Sequence, residues 1–181
     1  MPVGPLMIEH RLIERLVALI APEADALTAG RKPDQPFVAA AVDFFRTYAD
    51  RTHHGKEERI LFRDLAKKPL SPEHERTMRE LIQEHANARD LVAALAEANA
   101  RYPTEAGAAG DIVAALRELA RLYPEHIGEE DKRFFLPVMA YLSAEEQSEM
   151  LREFSEFDRQ MIHERYRLIV DALAARATAG T

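Results

Sequence analysis

Apolar residues recur at every third or fourth position along most of the chain, and no segment shows sustained alternation of apolar and polar residues. This spacing is typical of amphipathic helices rather than of strands. Stretches with proline, glycine and serine separate the helical segments. The pattern predicts five helices, over about residues 5–27, 37–67, 71–101, 112–140 and 143–176.

Local signals mark two helix starts and predict two breaks. Ser71, with a proline directly after it, is typical of a helix N-cap. Ser143 and Glu146, three positions apart, form a capping box. Pro22 is expected to end or kink the first helix and Pro124 to interrupt the fourth, because proline lacks the N–H that a helix interior needs.

Four long helices with short connections indicate an all-α fold, an up-down-up-down four-helix bundle over about residues 5–140. The additional C-terminal helix, over about residues 143–176, is expected to pack outside the bundle or across one end. A chain of 181 residues is expected to form a single domain over residues 1–181.

The second helix carries two adjacent histidines, and helical phase separates them. Residues of an α-helix advance by about 100° each. His53 falls in line with Ala49 and Ile60, and Glu57, four positions later, points nearly the same way. His54 is offset by one position and is therefore expected to lie on the flank of the bundle.

The other bundle helices repeat this arrangement. Each carries one histidine in line with its apolar residues, and these are His10, His85 and His126. The fourth helix also carries Glu130, four positions after its histidine. His163, in the fifth helix, lies at the edge of that helix's apolar face. Every helix of the bundle is thus expected to point one histidine inward.

Metal coordination explains these inward polar residues with a single cause, although a metal-free polar core is an alternative. Buried carboxylates such as Glu57 and Glu130 are costly unless a cation compensates them. The chain has no cysteine, which excludes thiolate-bound zinc and iron–sulfur clusters. Nitrogen and oxygen ligands suit iron, manganese or zinc, and the set is too large for one four-coordinate zinc. Two bridged ions are therefore predicted, di-iron first, with manganese or zinc as substitutes.

Composition and charge narrow the possible functions. The net charge of −7, with no basic run to offset it, argues against nucleic-acid binding. No apolar stretch approaches the ~18 residues that a membrane-spanning helix needs. The N-terminus lacks the basic segment and long apolar core of a secretion signal. A cytoplasmic protein is expected.

Five segments carry the metal-binding pattern. They are "IEHRLIE" with His10, "HHGKEERILF" with His53 and Glu57, "QEHANAR" with His85, "EHIGEEDKRFFLP" with His126 and Glu130, and "EFDRQMIHERYR" with His163. In this order the first four resemble the hemerythrin-like family, also called the HHE cation-binding domain. The fifth resembles the extra C-terminal helix of a bacterial subgroup. Oxygen-carrying members have two histidines four positions apart on the third helix, whereas here the positions four before and four after His85 hold Leu81 and Arg89.

The resemblance implies a di-iron centre with an oxo or hydroxo bridge. Its expected ligands are His10, His53, Glu57, His85, His126 and Glu130. Two six-coordinate ions offer about twelve positions, and a fifth nitrogen ligand would leave a single position open if both glutamates bridge. His163 is expected to supply that nitrogen, with His54 or Tyr123 as alternatives.

This centre implies a protein that binds or reacts with a small diatomic ligand or a peroxide. Dioxygen, nitric oxide and hydrogen peroxide are the expected partners, and a sensor or scavenger is favoured over a carrier. An alternative is an iron store or donor for the repair of damaged iron centres. A third interpretation is a structural helical module that docks to partner proteins.

Overall fold

The described part of the chain folds into five helices. The computed structural model describes residues 1–105 and 107–179, and of residues 162–179 it describes the backbone alone. The helices are α1 (Val3–Thr28), α2 (residues 35–65), α3 (Pro72–Arg101), α4 (residues 108–141) and α5 (Ala144–Ala179). The described residues contain no strand. The predicted all-α bundle with an additional C-terminal helix is therefore confirmed.

Side-chain caps begin three of the helices. Ser71 accepts a hydrogen bond from the backbone N–H of His74 at 3.2 Å, and so starts α3 where the sequence predicted. At the start of α5, the Ser143 hydroxyl accepts from the N–H of Glu146, whose carboxylate accepts from the N–H of Ser143. Asp34 caps α2 in the same way through the N–H of Phe37. These bonds satisfy donors that a helix start otherwise leaves free.

The helix end expected at Pro22 and the interruption expected at Pro124 are wrong. Helix α1 continues through Pro22 to Thr28, and α4 continues through Pro124. A proline removes one backbone hydrogen bond from a helix. Burial of the neighbouring residues compensates for this loss, since Ile20 and Ala24 flank Pro22 in the core.

Helices α2 and α4 contain π-helical segments, in which the backbone hydrogen bonds run to the fifth residue instead of the fourth. In α2 these segments are Phe45–His54 and Glu57–Phe62. In α4 the segment is Glu130–Phe134. The wider turns include the predicted metal ligands His53, Glu57 and Glu130, and π-helical turns occur frequently at functional sites.

The four bundle helices enclose two apolar clusters with a polar layer between them. One cluster includes Ile13, Phe45, Val92 and Leu119. The other includes Leu6, Ile60, Leu81 and Phe134, and α5 contributes Met150 and Phe154 to it. Each bundle helix passes from one cluster to the other at its inward histidine. The layer is therefore closed above and below by hydrocarbon.

Neighbouring helices form a closed ring, because α1 packs on α2 and α4, and α3 also packs on α2 and α4. Helix α5 packs against the outer side of α2. Among the described helices, none combines the length and the apolar character needed to cross a membrane.

Candidate metal centre

The predicted inward residues of the four bundle helices meet in the polar layer. None is more than 2% exposed, and they are His10, His53, Glu57, His85, His126 and Glu130. Each lies on its helix between residues of the two apolar clusters, so the packing of those clusters fixes its position.

Four of these residues form one group of potential ligands. Single ligand atoms of His10, His53, Glu57 and Glu130 all lie within 4.8 Å of one another. The Nε2 atoms of His10 and His53 are 2.8 Å apart. His10 Nε2 lies 3.1 Å from Glu130 Oε2, and His53 Nε2 lies 3.3 Å from Glu57 Oε1. This group could hold one metal ion.

A second group contains three histidines. Ligand atoms of His54, His85 and His126 lie within 4.8 Å of one another. His85 Nε2 is 3.4 Å from Glu57 Oε2, and His126 Nε2 is 3.4 Å from Glu130 Oε2. Both glutamates of the first group therefore also lie within 3.4 Å of a histidine of the second group.

The expectation that His54 lies on the flank is wrong. Its side chain is 1% exposed, and its ring stacks on that of His85 with centroids 3.8 Å apart. The error came from assuming α-helical phase. Because His54 ends a π-helical segment, each residue there turns through a smaller angle than in an α-helix. His53 and His54 can therefore both face the interior, one in each group.

The structure describes the side chain of only one of the other two candidates for the fifth nitrogen or oxygen ligand. The side chain of His163 lies outside the described residues, so its proposed role stays a prediction. The Tyr123 ring stacks on Phe45, with centroids 5.0 Å apart, and its ring centroid lies 6.4 Å from that of His54. Tyr123 therefore lies next to His54 in the core, and its role as a ligand stays a prediction.

Carboxylates on neighbouring helices hold four of the histidines. In each pair the Nδ1 atom donates to a carboxylate oxygen at 2.8–2.9 Å, and the pairs are His10–Asp131, His53–Glu9, His85–Glu58 and His126–Glu84. Every helix thus supplies a carboxylate to the histidine of the next helix, and α4 closes the ring onto α1. Such partners fix ring orientation and raise ligand basicity in metal sites. The Nε2 atom of each of these four rings therefore faces the glutamates of the centre.

Sequence reasoning missed these four carboxylates because each serves a histidine on a different helix. A signal was present, however. Each one is adjacent in sequence to an inward residue, as Glu9 is to His10 and Glu84 is to His85. An acidic residue beside a ligand is offset around the helix, and it therefore faces the neighbouring helix.

The centre contains buried polar atoms without hydrogen-bond partners among the described residues. They are both oxygens of Glu57 and of Glu130, both ring nitrogens of His54, and Nε2 of His85 and His126. Buried polar atoms in folded proteins are nearly always satisfied. Carboxylate oxygens and imidazole nitrogens are the donors that iron, manganese and zinc accept. The residues present therefore fit a metal centre.

Without a metal ion, Glu57, Glu130, His53 and His10 have strongly shifted pKa values. Burial and the nearby Glu130 raise the pKa of Glu57 well above its ordinary value. Burial would also raise that of Glu130, but His126 and His10 hold its pKa well below the usual range. Burial lowers the pKa of His53 to about 4, whereas neighbouring carboxylates outweigh burial and raise the pKa of His10 to about 9. A metal ion that binds His10 through Nε2 must displace the proton on that nitrogen, whereas Nδ1 keeps the hydrogen that it donates to Asp131.

A cavity of about 260 Å³ adjoins the three-histidine group. It is lined by Phe45, Arg46, Asp50, His54, Ala88, Arg89, Val92 and Tyr123. Arg89 closes part of its wall by donating to Asp50 at 2.7 Å and to Glu58 at 2.5 Å. The cavity gives small molecules space beside His54.

The family model described as "Hemerythrin HHE cation binding domain" matches residues 1–136 of this chain. The matched segment contains both groups of potential ligands and all four carboxylates of the ring. Helix α5 lies beyond the matched segment. No match was found among curated proteins or among solved structures.

Proposed function

The chain belongs to the family of hemerythrin HHE cation-binding domains, and we propose that its polar layer holds two iron ions that bind or react with a small ligand. One observation carries this proposal. Carboxylate oxygens and imidazole nitrogens converge on the layer, buried and without hydrogen-bond partners among the described residues. These donors form two separate groups and outnumber the six positions of one octahedral ion, so two ions account for them better than one.

The proposed ligand sets follow the two groups. His10 and His53 bind one ion, and His54, His85 and His126 bind the other. Glu57 and Glu130 bridge, because one oxygen of Glu57 faces His53 while its other oxygen faces His85. Oε2 of Glu130 lies 3.1 Å from Nε2 of His10, and its Oε1 lies 3.8 Å from Nε2 of His85. His54 thus takes the role that the sequence assigned to His163.

Counting ligands predicts an asymmetric centre. Two six-coordinate ions offer about twelve positions. Five histidines would occupy five of these positions, two bridging carboxylates would occupy four, and a solvent-derived bridge would occupy two. The three-histidine ion is then filled, and one position is left on the ion bound by His10 and His53. A small ligand would bind there.

The protein supplies a dry and ordered surrounding for that position. Phe135 stacks on the ring of His10, with centroids 5.6 Å apart and an interplanar angle of 3°. Asp131 and Glu9 hold the outer nitrogens of His10 and His53, so neither ring can turn freely. When bound, the iron pair would supply ligand coordination and electrons. We propose dioxygen, nitric oxide or peroxide as the ligand, in a sensor or scavenger.

Absorption spectroscopy tests this function. The iron-loaded protein is titrated with azide when oxidised and exposed to nitric oxide or dioxygen when reduced. We expect a new charge-transfer band that saturates at one azide per chain, because one position is open. Saturation at two, or no new band, would contradict the proposal. Rapid release of both ions to a chelator, without any ligand-dependent band, would favour the alternative of an iron store or donor.

Two alanine variants test which histidine supplies the fifth nitrogen. His54→Ala is expected to weaken binding of the three-histidine ion by at least about tenfold, because it removes a direct ligand. His163→Ala is expected to keep both ions, since five other histidines already fill the nitrogen positions. Iron content after gel filtration measures both effects. If His163→Ala loses iron while His54→Ala retains it, the fifth nitrogen belongs to α5.

A further inference from the structure

Lys56 is a lysine without any exposed surface, next to the candidate metal centre but not in it. Its side chain is 0% exposed. Lysine is almost never fully buried unless it is paired, and Lys56 has two carboxylate partners. Its ammonium group contacts Glu9 and lies 2.8 Å from Asp158 Oδ1. Asp158 belongs to α5, so this ammonium joins three helices.

The contact with Glu9 leads directly to a histidine of the centre. Glu9 Oε1 contacts Lys56, whereas Glu9 Oε2 accepts from His53 Nδ1 at 2.9 Å. One carboxylate is therefore shared between the buried ammonium and the imidazole. Together the four side chains form a continuous series of contacts from α5 to the centre, in the order Asp158, Lys56, Glu9 and His53.

The backbone of α2 fixes α5 at the same place. A Cβ atom on Gly55 would lie 2.8 Å from Cζ of Phe157, so any larger residue at position 55 would displace the Phe157 ring. The Phe157 ring also lies 5.9 Å from the guanidinium of Arg59. Gly55 precedes Lys56, and Phe157 precedes Asp158, so the steric contact and the ion pair are adjacent. A small shift of α5 would change the Lys56–Asp158 distance.

We propose that Asp158 and Lys56 are positioning residues that couple the C-terminal helix to the metal ligand His53. The proposal rests on the proposed function, in which His53 binds iron. When Asp158 shares the ammonium charge, Glu9 keeps enough electron density to hold His53 as a basic, oriented ligand. Without Asp158, the whole charge of Lys56 acts on Glu9 and weakens its bond to His53. A displacement of α5 would have the same effect.

A second ion pair between α5 and α2 provides a matched control. Glu153 lies 3.0 Å from Arg63 on the protein surface. Arg63 also pairs with Asp64. Neither Arg63 nor Glu153 belongs to the two groups of potential ligands found among the described residues. Asp158→Asn and Glu153→Gln therefore each remove one ion pair that holds α5. Only the first variant changes the contacts that lead to His53.

The experiment compares iron release and ligand binding in the full chain. Wild type, Asp158→Asn, Asp158→Glu and Glu153→Gln are loaded with iron, and transfer to a chelator is followed. We expect Asp158→Asn to release iron about tenfold faster than wild type, within the range for altered support of a metal ligand. We expect Glu153→Gln to release iron at the wild-type rate. We expect the rate of Asp158→Glu to lie between those of wild type and Asp158→Asn. The azide band should shift in Asp158→Asn and stay unchanged in Glu153→Gln, because azide binds the ion that His53 holds.

The outcomes separate this inference from the proposed function. If the wild-type chain takes up no iron, both fail. If wild type is fully loaded but Asp158→Asn and Glu153→Gln behave alike, the coupling through Lys56 is wrong and the proposed centre stands. Lys56→Met gives a further check, since Asp158→Asn should add nothing in that background. An additional effect there would also overturn the coupling.

Discussion

Replacing Glu130 by glutamine is expected to remove both iron ions from the protein. Glu130 Oε2 lies 3.1 Å from His10 Nε2 and 3.4 Å from His126 Nε2, so its carboxylate faces both groups of ligands. An amide carries no charge and has one oxygen donor instead of two, so glutamine replaces a charged bridging ligand by a weak one. We expect apparent affinity to fall by at least about a hundredfold, the upper end of what altering a partner of a ligand costs. Metal content after gel filtration measures the loss.

The neighbouring residue is the control for this change. Glu129 pairs with Arg133 at 3.0 Å on the surface and contacts no potential ligand. Glu129→Gln alters the same helix by the same chemistry, and it should keep the full metal content. If Glu130→Gln also retains two ions, Glu130 does not bridge, and the ligand sets proposed above are wrong.

Removal of the metal is expected to lower the melting temperature by about 10 °C or more. Without an ion, five buried histidines and two buried glutamates remain close together, and several of their atoms lack partners. A ligand present at about a thousandfold over its Kd stabilises the folded state by about 4 kcal/mol. For a chain of 181 residues, each kcal/mol corresponds to about 2–4 °C. Thermal unfolding with and without a chelator measures the difference.

The Glu130→Gln variant also serves as a reference for this experiment. Its melting temperature should not respond to the chelator, because it has no bound iron to lose. Identical melting curves for the wild type with and without chelator would show that metal binding does not stabilise the fold. Such a result would favour a structural helical module over an iron protein.

The helices could be predicted from sequence because their signals are local. The apolar period gave five helices, and the caps at Ser71 and Ser143 start α3 and α5. The expectations for Pro22 and Pro124 failed because the outcome at a proline depends on contacts that are not local. Packing of distant residues around these prolines outweighs the lost hydrogen bond, and no local pattern reveals that packing.

The inward residues of the centre were also predictable, because phase along a regular helix identifies its buried face. His54 was misplaced since the sequence gave no sign of the π-helical turns of α2. The carboxylate ring was missed because Glu9 and Glu84 act across helix interfaces. The Lys56–Asp158 pair requires the position of α5, which lies beyond the matched family segment. What was missed depends on contacts between helices.

The number of iron ions per chain tests the central claim most directly. The protein is loaded with excess ferrous iron without oxygen, separated from unbound metal by gel filtration, and measured by elemental analysis against amino-acid content. We predict two iron ions per chain in the wild type and none retained in Glu130→Gln. One ion per chain in the fully loaded wild type, or two ions that remain in Glu130→Gln, would contradict a centre bridged by Glu57 and Glu130.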